Sequence, residues 1–325
     1  MERIAVIGLG NISIRHRRNL RQLYPMASIY GMPASGRPST ETISDCDVLV
    51  TSIEELIEHK VKFAIVASPA SLHTVHAIPL IKAGIPLLIE KPVATSMADC
   101  NAISDASREH NVPVAVGYCL RYLPSAAILK KMLDEQEIGH LHNAMIETGQ
   151  YLPDWRPSKD YRTCVSARAE LGGGVLLELS HEFDYTQWLL GPLKVEHAVL
   201  RSSETLGLSV EDTADVLAIN ASGVIAYIHL DFLQRKAHRK CRFIGSEGTL
   251  EWDLIQNQVT LISASGSHII YSDAEWDKNK MYLAMIKDFV HLIDGKESSI
   301  VNLKDASSTV ALIDKIKKNS SHSVI

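Results

Sequence analysis

An ammonium group stands at the end of an apolar run. Ile85-Pro86-Leu87-Leu88-Ile89 reads as a short buried strand and ends in Glu90-Lys91-Pro92. Pro92 removes a backbone donor and restricts Lys91 to extended conformations, so the lysine is carried on a stiff backbone. A second strand-like run, Ile4-Ala5-Val6-Ile7, opens into Gly8-Leu9-Gly10-Asn11-Ile12-Ser13. Gly8 permits a tight strand-to-helix turn, and Gly10 lets backbone approach a pyrophosphate seated on the helix N-terminus. Ser13 takes the place of the usual third glycine. Ligands of open parallel sheets bind beyond the carboxyl ends of the strands. The two motifs therefore point to one crevice, with a dinucleotide on the glycine turn and a lysine beside it. That pairing is redox chemistry; the competing reading of Lys91 is a surface lysine snorkelling from a strand end.

The second strand informs by what it lacks. An acid about 20 residues after the glycines usually holds the ribose 2′-OH of NAD, yet Ile29–Arg37 contains none. Ser35 and Arg37 suit a 2′-phosphate instead, since arginine binds phosphate in a fork, which puts NADP ahead of NAD. The alternative is a solvated loop arginine. A third signal is Leu171-Gly172-Gly173-Gly174 followed by Val175–Asp184, expected as one helix over about 175–190. On that helix Glu178 and His181 share a face at i, i+3, and Asp184 extends it. A carboxylate beside an imidazole is a proton-transfer pair, although spacing alone favours a helix surface with local ion pairs.

Other clusters carry less. His73 and His76 have metal-ligand spacing but no third ligand, so no metal is expected. The basic run Arg235-Lys236-Ala237-His238-Arg239-Lys240 in a chain of net charge −5 reads as a solvated sheet rim, not a nucleic-acid site. Five dispersed cysteines without C-x-x-C spacing fit reduced thiols in a cytoplasm. No apolar run approaches the roughly 18 residues needed to span a bilayer, and a strand starting almost at Met1 leaves no room for a signal peptide.

These groups need elements to carry them. The 325 residues, 46% hydrophobic and 22% charged, suit two globular domains. Strand candidates at 3–8, 27–32, 47–51, 62–67, 85–90 and 113–117 alternate with helices at 11–23, 53–58, 71–83 and 96–110. That alternation implies a parallel, doubly wound α/β domain over residues 1–120. Residues 121–325 read as an α+β domain for substrate binding and oligomerisation. A helix at 123–135 and a strand at 141–151 lead into a run of strands over 194–272 with turns at Ala221-Ser222-Gly223, Gly245–Gly248 and Ser265-Gly266. Helices at 277–294 and 305–318 and a frayed tail from Asn319 complete it. The expected sheet is large, mostly antiparallel and covered by helices on one face, leaving the other for a homodimer or homotetramer. Tyr151, Trp155, Arg156, Lys159, Tyr161 and Arg162 lie in an irregular segment whose aromatic faces and cations suit a sugar bearing carboxylate or phosphate.

Together the motifs resemble the Gfo/Idh/MocA family of glucose–fructose oxidoreductase, inositol dehydrogenase and relatives, over nearly the whole chain. The resemblance rests on Gly8–Ser13 with Arg15-His16, Ser68-Pro69 with His73, Glu90-Lys91-Pro92, Gly117–Arg121-Tyr122–Pro124, and the triple-glycine helix with His181. It implies cofactor contacts from Gly8, Gly10, Asn11, Ile12, Ser13, Arg15, His16, Ser68, Pro69, His73, Glu90 and Lys91. It implies substrate contacts from Lys91, Arg121, Tyr122, Trp155, Arg156, Tyr161 and His181. Lys91 and His181 take the catalytic roles of hydroxyl partner and general acid/base. Glu178 stands where the family usually has Asp, but His181 follows after three residues instead of four. The implied function is NAD(P)-dependent hydride transfer to or from a sugar. Trp155-Arg156-Pro157-x-x-x-Tyr161-Arg162 is similar to branches of surface-sugar biosynthesis, where the sugar is nucleotide-activated or acidic. Two alternatives share the fold: a redox-neutral sugar enzyme that recycles bound NAD, and a cofactor-sensing binding protein without turnover.

Overall fold

The computed structural model describes residues 2–37 and 42–324, with side chains as far as 321. It divides into two units, Met1–Cys119 with Asn279–Val310, and Leu120–Lys278 with Ala311–Ile325. The first is built from β1 (Arg3–Ile7), α1 (Asn11–Leu23), β2 (Ser28–Met32), β3 (Val48–Leu49), α2 (Ile53–Glu58), β4 (Phe63–Val66), α3 (His73–Lys82), β5 (Leu87–Ile89), α4 (Met97–His110) and β6 (Val114–Val116). Its strands pair in parallel in the order β3-β2-β1-β4-β5-β6. Parallel strands are covered on both faces, so Ile4, Ala5, Val6 and Ile7 of β1 are all 0% exposed. Helices start where sequence chemistry allows: Ser52 and Ser96 accept the amides of Glu55 and Asp99 at the N-termini of α2 and α4. Asn111 ends α4 in the left-handed conformation. The strand order reverses between β1 and β4, which places the ligand crevice beyond the carboxyl ends of these two strands.

The second unit carries α5 (Pro124–Asp134), β7 (Leu141–Gly149), α6 (Val175–Glu178), α7 (Ser180–Leu190), β8 (Leu193–Ser202), β9 (Thr213–Asn220), β10 (Ile225–Asp231), β11 (His238–Gly245), β12 (Gly248–Asp253), β13 (Gln258–Ser263) and β14 (Gly266–Ser272). The chain then continues as α8 (Asn279–Ile293), α9 (Leu303–Asn319) and β15 (Ser320–Val324). The nine strands run β14-β13-β12-β11-β7-β10-β9-β8-β15, antiparallel except for β7·β10 and β8·β15. Period-2 alternation sets its faces. Ala226, Ile228 and Leu230 of β10 are 0% exposed, while Tyr227 between them is 43% exposed. Helices cover the buried face, where Trp252 Nε1 donates to Ser125 Oγ of α5 at 2.8 Å and stacks edge-on with Tyr185 of α7.

Three expectations are corrected. The second domain is not continuous from 121: α8 and the start of α9 belong to the first unit, because Phe289 stacks on Phe63 at 5.5 Å and Val116 donates to the Val301 carbonyl at 2.9 Å. The single helix over 175–190 breaks at Leu179 (φ −97°, ψ 35°) into α6 and α7. The tail does not fray as far as Val324: it adds β15 in parallel register to β8, supplying the hydrogen-bond partners an edge strand would otherwise lack.

Candidate active site

The two glycines of the turn differ: Gly8 has a steric cause and Gly10 faces open space. Gly8 sits at φ 110°, and a Cβ there would lie 2.5 Å from the Ala67 carbonyl oxygen and 2.8 Å from Ser13 Oγ. Gly10 caps α1, and a Cβ there meets nothing within 4 Å, so open space lies directly over the helix N-terminus. No side chain caps α1 and no acid stands in its first turn. Its leading amides, from Asn11 to Ser13, are unclaimed donors with the helix dipole behind them. A dinucleotide pyrophosphate fits this cradle. Beyond β2, Ser35 and Arg37 are exposed on the turn made by Gly36 (φ 67°), with Arg37 N–H donating to Ser35 Oγ at 3.4 Å.

The other implied cofactor residues split between surface and interior. Asn11 and Arg15 are exposed, Ile12 and Pro69 half-buried, and Arg15 lies 4.6 Å over the Tyr282 ring. His16, expected to contact cofactor, is instead 0% exposed, and its Nε2 meets Glu90 Oε1 at 2.6 Å. Ser13 Oγ donates to the Ala67 carbonyl. The buried His73 ring reaches the Ser68 carbonyl with Nε2 (2.9 Å) and the Pro92 carbonyl with Nδ1 (3.0 Å), and Ser68 Oγ bonds the ring of His76 at 2.9 Å. Burial lowers the pKa of both imidazoles, so these side chains hold the loops after β4 and β5 together. Among the described residues no cluster of three His, Cys, Asp or Glu could hold a metal.

Lys91 is half-buried at the residue after Glu90, and its amide donates to Glu90 Oε2 at 3.3 Å. Burial pushes the Glu90 carboxyl up, but the His16 hydrogen bond and the charges of His16 and Lys91 outweigh it and hold it below the usual carboxylate range. Gly117 packs close against it: a Cβ there would lie 3.3 Å from the Glu90 carboxyl group, which would have to shift by a few tenths of an ångström. A fixed anion therefore stands against the lysine, tied to the helix that presents the pyrophosphate cradle.

In the second unit the triple glycine is likewise steric. A Cβ on Gly173 would lie 2.4 Å from the Val165 carbonyl, and one on Gly174 (φ 102°) 2.5 Å from Glu211 Oε1. Glu211 receives the Leu176 amide on its side chain and the Val175 amide on its carbonyl, so it caps α6. The break at Leu179 takes Glu178 off the helix face of His181, correcting the i, i+3 arrangement; Glu178 Oε2 accepts from Ser166 Oγ at 3.1 Å. His181 is half-buried in the first turn of α7. Its neighbour Glu182 is 0% exposed and accepts from Thr148 Oγ1 (2.9 Å) and from Arg239 (2.7 Å). One turn later Asp184 receives a two-point fork from Arg121 Nε (2.9 Å) and Nη2 (2.7 Å), and Arg121 also lies over Trp188. Arg121 is thus committed to α7 through two of its donors, where a substrate contact was expected. Tyr122 is half-buried beside it. Trp155 donates to the Gln150 carbonyl and meets Phe232 edge-on, Tyr161 OH donates to the Leu206 carbonyl, and Arg156 is half-buried.

Four contributors escaped the sequence reading: Arg17, Glu182, Glu211 and Arg239. Arg17 is 1% exposed, donates to the Ser44 carbonyl (2.9 Å) and reaches the Gly8 carbonyl at 3.5 Å, bracing the glycine turn. Its signal is helical spacing with Ser13 and Leu20, which share the buried stripe of α1. Glu182 and Glu211 give no local signal, and Arg239, expected on a solvated rim with the rest of its basic run, instead binds the buried Glu182.

A family model described as "Oxidoreductase family, NAD-binding Rossmann fold" matches residues 2–118, and the GFO/IDH/MocA C-terminal domain model matches 127–251. A 1,5-anhydro-D-fructose reductase of Ensifer adhaerens is 29% identical over 258 residues, covering 76% of this chain and 74% of that protein. Levoglucosan dehydrogenase, solved with NADH and levoglucosan, superposes with a TM-score of 0.84 at 18% identity, covering 98% of both chains. UDP-N-acetylglucosamine 3-dehydrogenase from Acidithiobacillus ferrooxidans superposes with a TM-score of 0.78 at 18% identity, over 98% of this chain and 97% of that one. At these identities the two solved structures establish the fold.

Proposed function

Since the chain belongs to the Gfo/Idh/MocA family of NAD(P)-dependent sugar oxidoreductases, we propose that Lys91 and His181 carry hydride transfer at a sugar carbinol carbon. When bound, the nicotinamide supplies the hydride acceptor or donor. Gly8, Gly10 and the leading amides of α1 would hold its pyrophosphate, and Ser35 with Arg37 a 2′-phosphate, which favours NADP. In the oxidative direction His181 takes the hydroxyl proton as the carbon–hydrogen bond gives up its hydride, and Lys91 stabilises the developing oxyanion. Glu182 and Asp184 hold α7 in place, and Glu178 accepts from Ser166 in the turn that precedes α6.

The observation that carries this reading is the His16–Glu90 bond: it fixes the loop bearing Lys91 to the helix whose N-terminus forms the pyrophosphate cradle. A lysine needed only for solubility has no use for a buried carboxylate beside it. The five cysteines are free thiols, which fits a reducing compartment, and no helix among the described residues is long and apolar enough to cross a membrane. The uncovered face of the nine-stranded sheet, with Met145, Leu217 and Tyr227 each at least 40% exposed, supports assembly with a second copy.

Single-turnover hydride transfer tests the assignment. Lys91→Ala should lower the rate by about 10²–10³ and His181→Ala by about 10²–10⁴, with melting temperatures near wild type. Folded variants that transfer hydride at wild-type rates would remove both residues from the chemistry.

A further inference from the structure

We propose that the segment 151–162 and the loop 233–236 form a subsite for a phosphate or diphosphate carried by the substrate, with Arg235 and Arg156 as its principal contacts. This inference deepens the sugar-oxidoreductase reading and rests on it.

The basic run from Arg235 to Lys240 divides in two. Its strand end is neutralised: His238 faces Glu147 at 3.4 Å, Arg239 binds Glu182 and Lys240 binds Asp253 at 2.9 Å. Arg235 and Lys236, both exposed, have no carboxylate partner among the described residues, and neither do Arg156 and Lys159 across from them. Arg162 of the same segment pairs with Asp160, and Arg168 beyond it with Glu170. In a chain of net charge −5, four cations left without counter-ions on two adjoining loops are a local feature, not overflow from a basic surface.

Backbone bonds hold the two loops together. Tyr151 donates to the Gln234 carbonyl at 2.6 Å and Leu152 to the Phe232 carbonyl at 3.0 Å. The Arg235 guanidinium lies 3.7 Å from the centroid of the Tyr151 ring. Stacking holds its plane and leaves the N–H edges free, the geometry in which arginine meets phosphate oxygens in a fork.

Both loops also leave from strand residues that touch Glu182, the neighbour of His181: Thr148 lies three residues before Tyr151, and Arg239 four after Arg235. At about 3.3 Å per extended residue, Tyr151 and the Arg235 that stacks on it stand roughly 10–13 Å along the chain from that point. This reach exceeds a sugar ring and suits a ring with a linked phosphate. A carboxylate on the ring itself falls short.

Calorimetric titration of the NADPH-saturated protein, in which the cofactor's own pyrophosphate cradle is filled, tests the subsite with UDP, glucose 1-phosphate and uridine. The phosphorylated probes should bind, more weakly as KCl is raised, and uridine should not. Arg235→Ala and Arg156→Ala should each weaken the better probe about tenfold with NADPH affinity unchanged, and Arg235→Lys should recover part of the loss. Tighter UDP assigns the subsite to a diphosphate, and tighter glucose 1-phosphate to a monophosphate; either supports it. Absence of binding by both phosphorylated probes at millimolar concentration, uridine binding as tightly as UDP, or variants binding like wild type would overturn it. NADPH binding separates the two readings, since its failure in the wild type would strike the oxidoreductase reading itself.

Discussion

Replacing His16 with alanine isolates the contact that joins the cofactor helix to the lysine loop. His16 is 0% and Glu90 8% exposed, with 2.6 Å between Nε2 and Oε1. Removing one partner of a buried pair costs roughly 3–5 kcal/mol, because the remaining charge is left uncompensated. Glu90 keeps the Lys91 amide at 3.3 Å, which argues for the lower end, about 3 kcal/mol. The sign with pH is distinctive. In the wild type the Glu90 pKa is lowered, so its contribution is present above the unfolded value and lost as pH falls through the folded one. Without His16, burial dominates and the carboxyl rises above its unfolded value. The variant then loses stability as pH rises, and its deficit is larger near pH 8 than near pH 5. Urea unfolding followed by far-UV circular dichroism suits the measurement, since Trp155, Trp188, Trp252 and Trp276 all lie in the other unit. Adding Glu90→Gln should abolish the pH-dependent part and leave only the cavity cost. A deficit below about 1 kcal/mol, or one equal at both pH values, would refute the reasoning.

Arg37→Ala should weaken NADPH by about tenfold or more, the worth of a charged hydrogen bond, and leave NADH unchanged, as fluorescence titration of both cofactors would reveal. His229 is held between Asp231 (3.1 Å) and Asp215 (2.7 Å), and the hydrogen bond to Asp231, opposed by burial and reinforced by Asp215, raises its pKa to about 9. Its contribution is full below about pH 6.5 and is lost as pH rises to about 9. At 25% side-chain exposure this amounts to about 1–3 kcal/mol, so His229→Gln should flatten that part of the stability profile in urea unfolding. Leu217→Asp with Tyr227→Asp on the bare sheet face should convert the assembly to monomers in light scattering; a wild type that is monomeric at every concentration would contradict the interface.

The first unit was legible because its signals are local. Strands buried on both faces are written as unbroken apolar runs, the helices of α/β crossovers as separate periodic segments, and Gly8 and Gly10 act within a few residues of where they stand. The same locality exposed Lys91, whose position follows from a strand end, and the triple glycine before His181.

What the sequence could not determine are the pairings across distance. His16 and Glu90 are 74 positions apart, Arg121 and Asp184 are 63, and Arg239 and Glu182 are 57. A charged residue reads the same whether it faces solvent, a buried counter-ion or a ligand, and only packing chooses among them. The basic run at 235–240 shows this, as one strand carries its end into salt bridges while the preceding loop leaves Arg235 stacked and exposed. The break at Leu179, the return of α8 to the first unit and the capture of the tail by β8 have the same origin. Each satisfies a helix end, an apolar face or a strand edge with a partner from elsewhere in the chain, so the sequence alone set local shape and the chemistry available, and tertiary contact decided which groups remain free to use it.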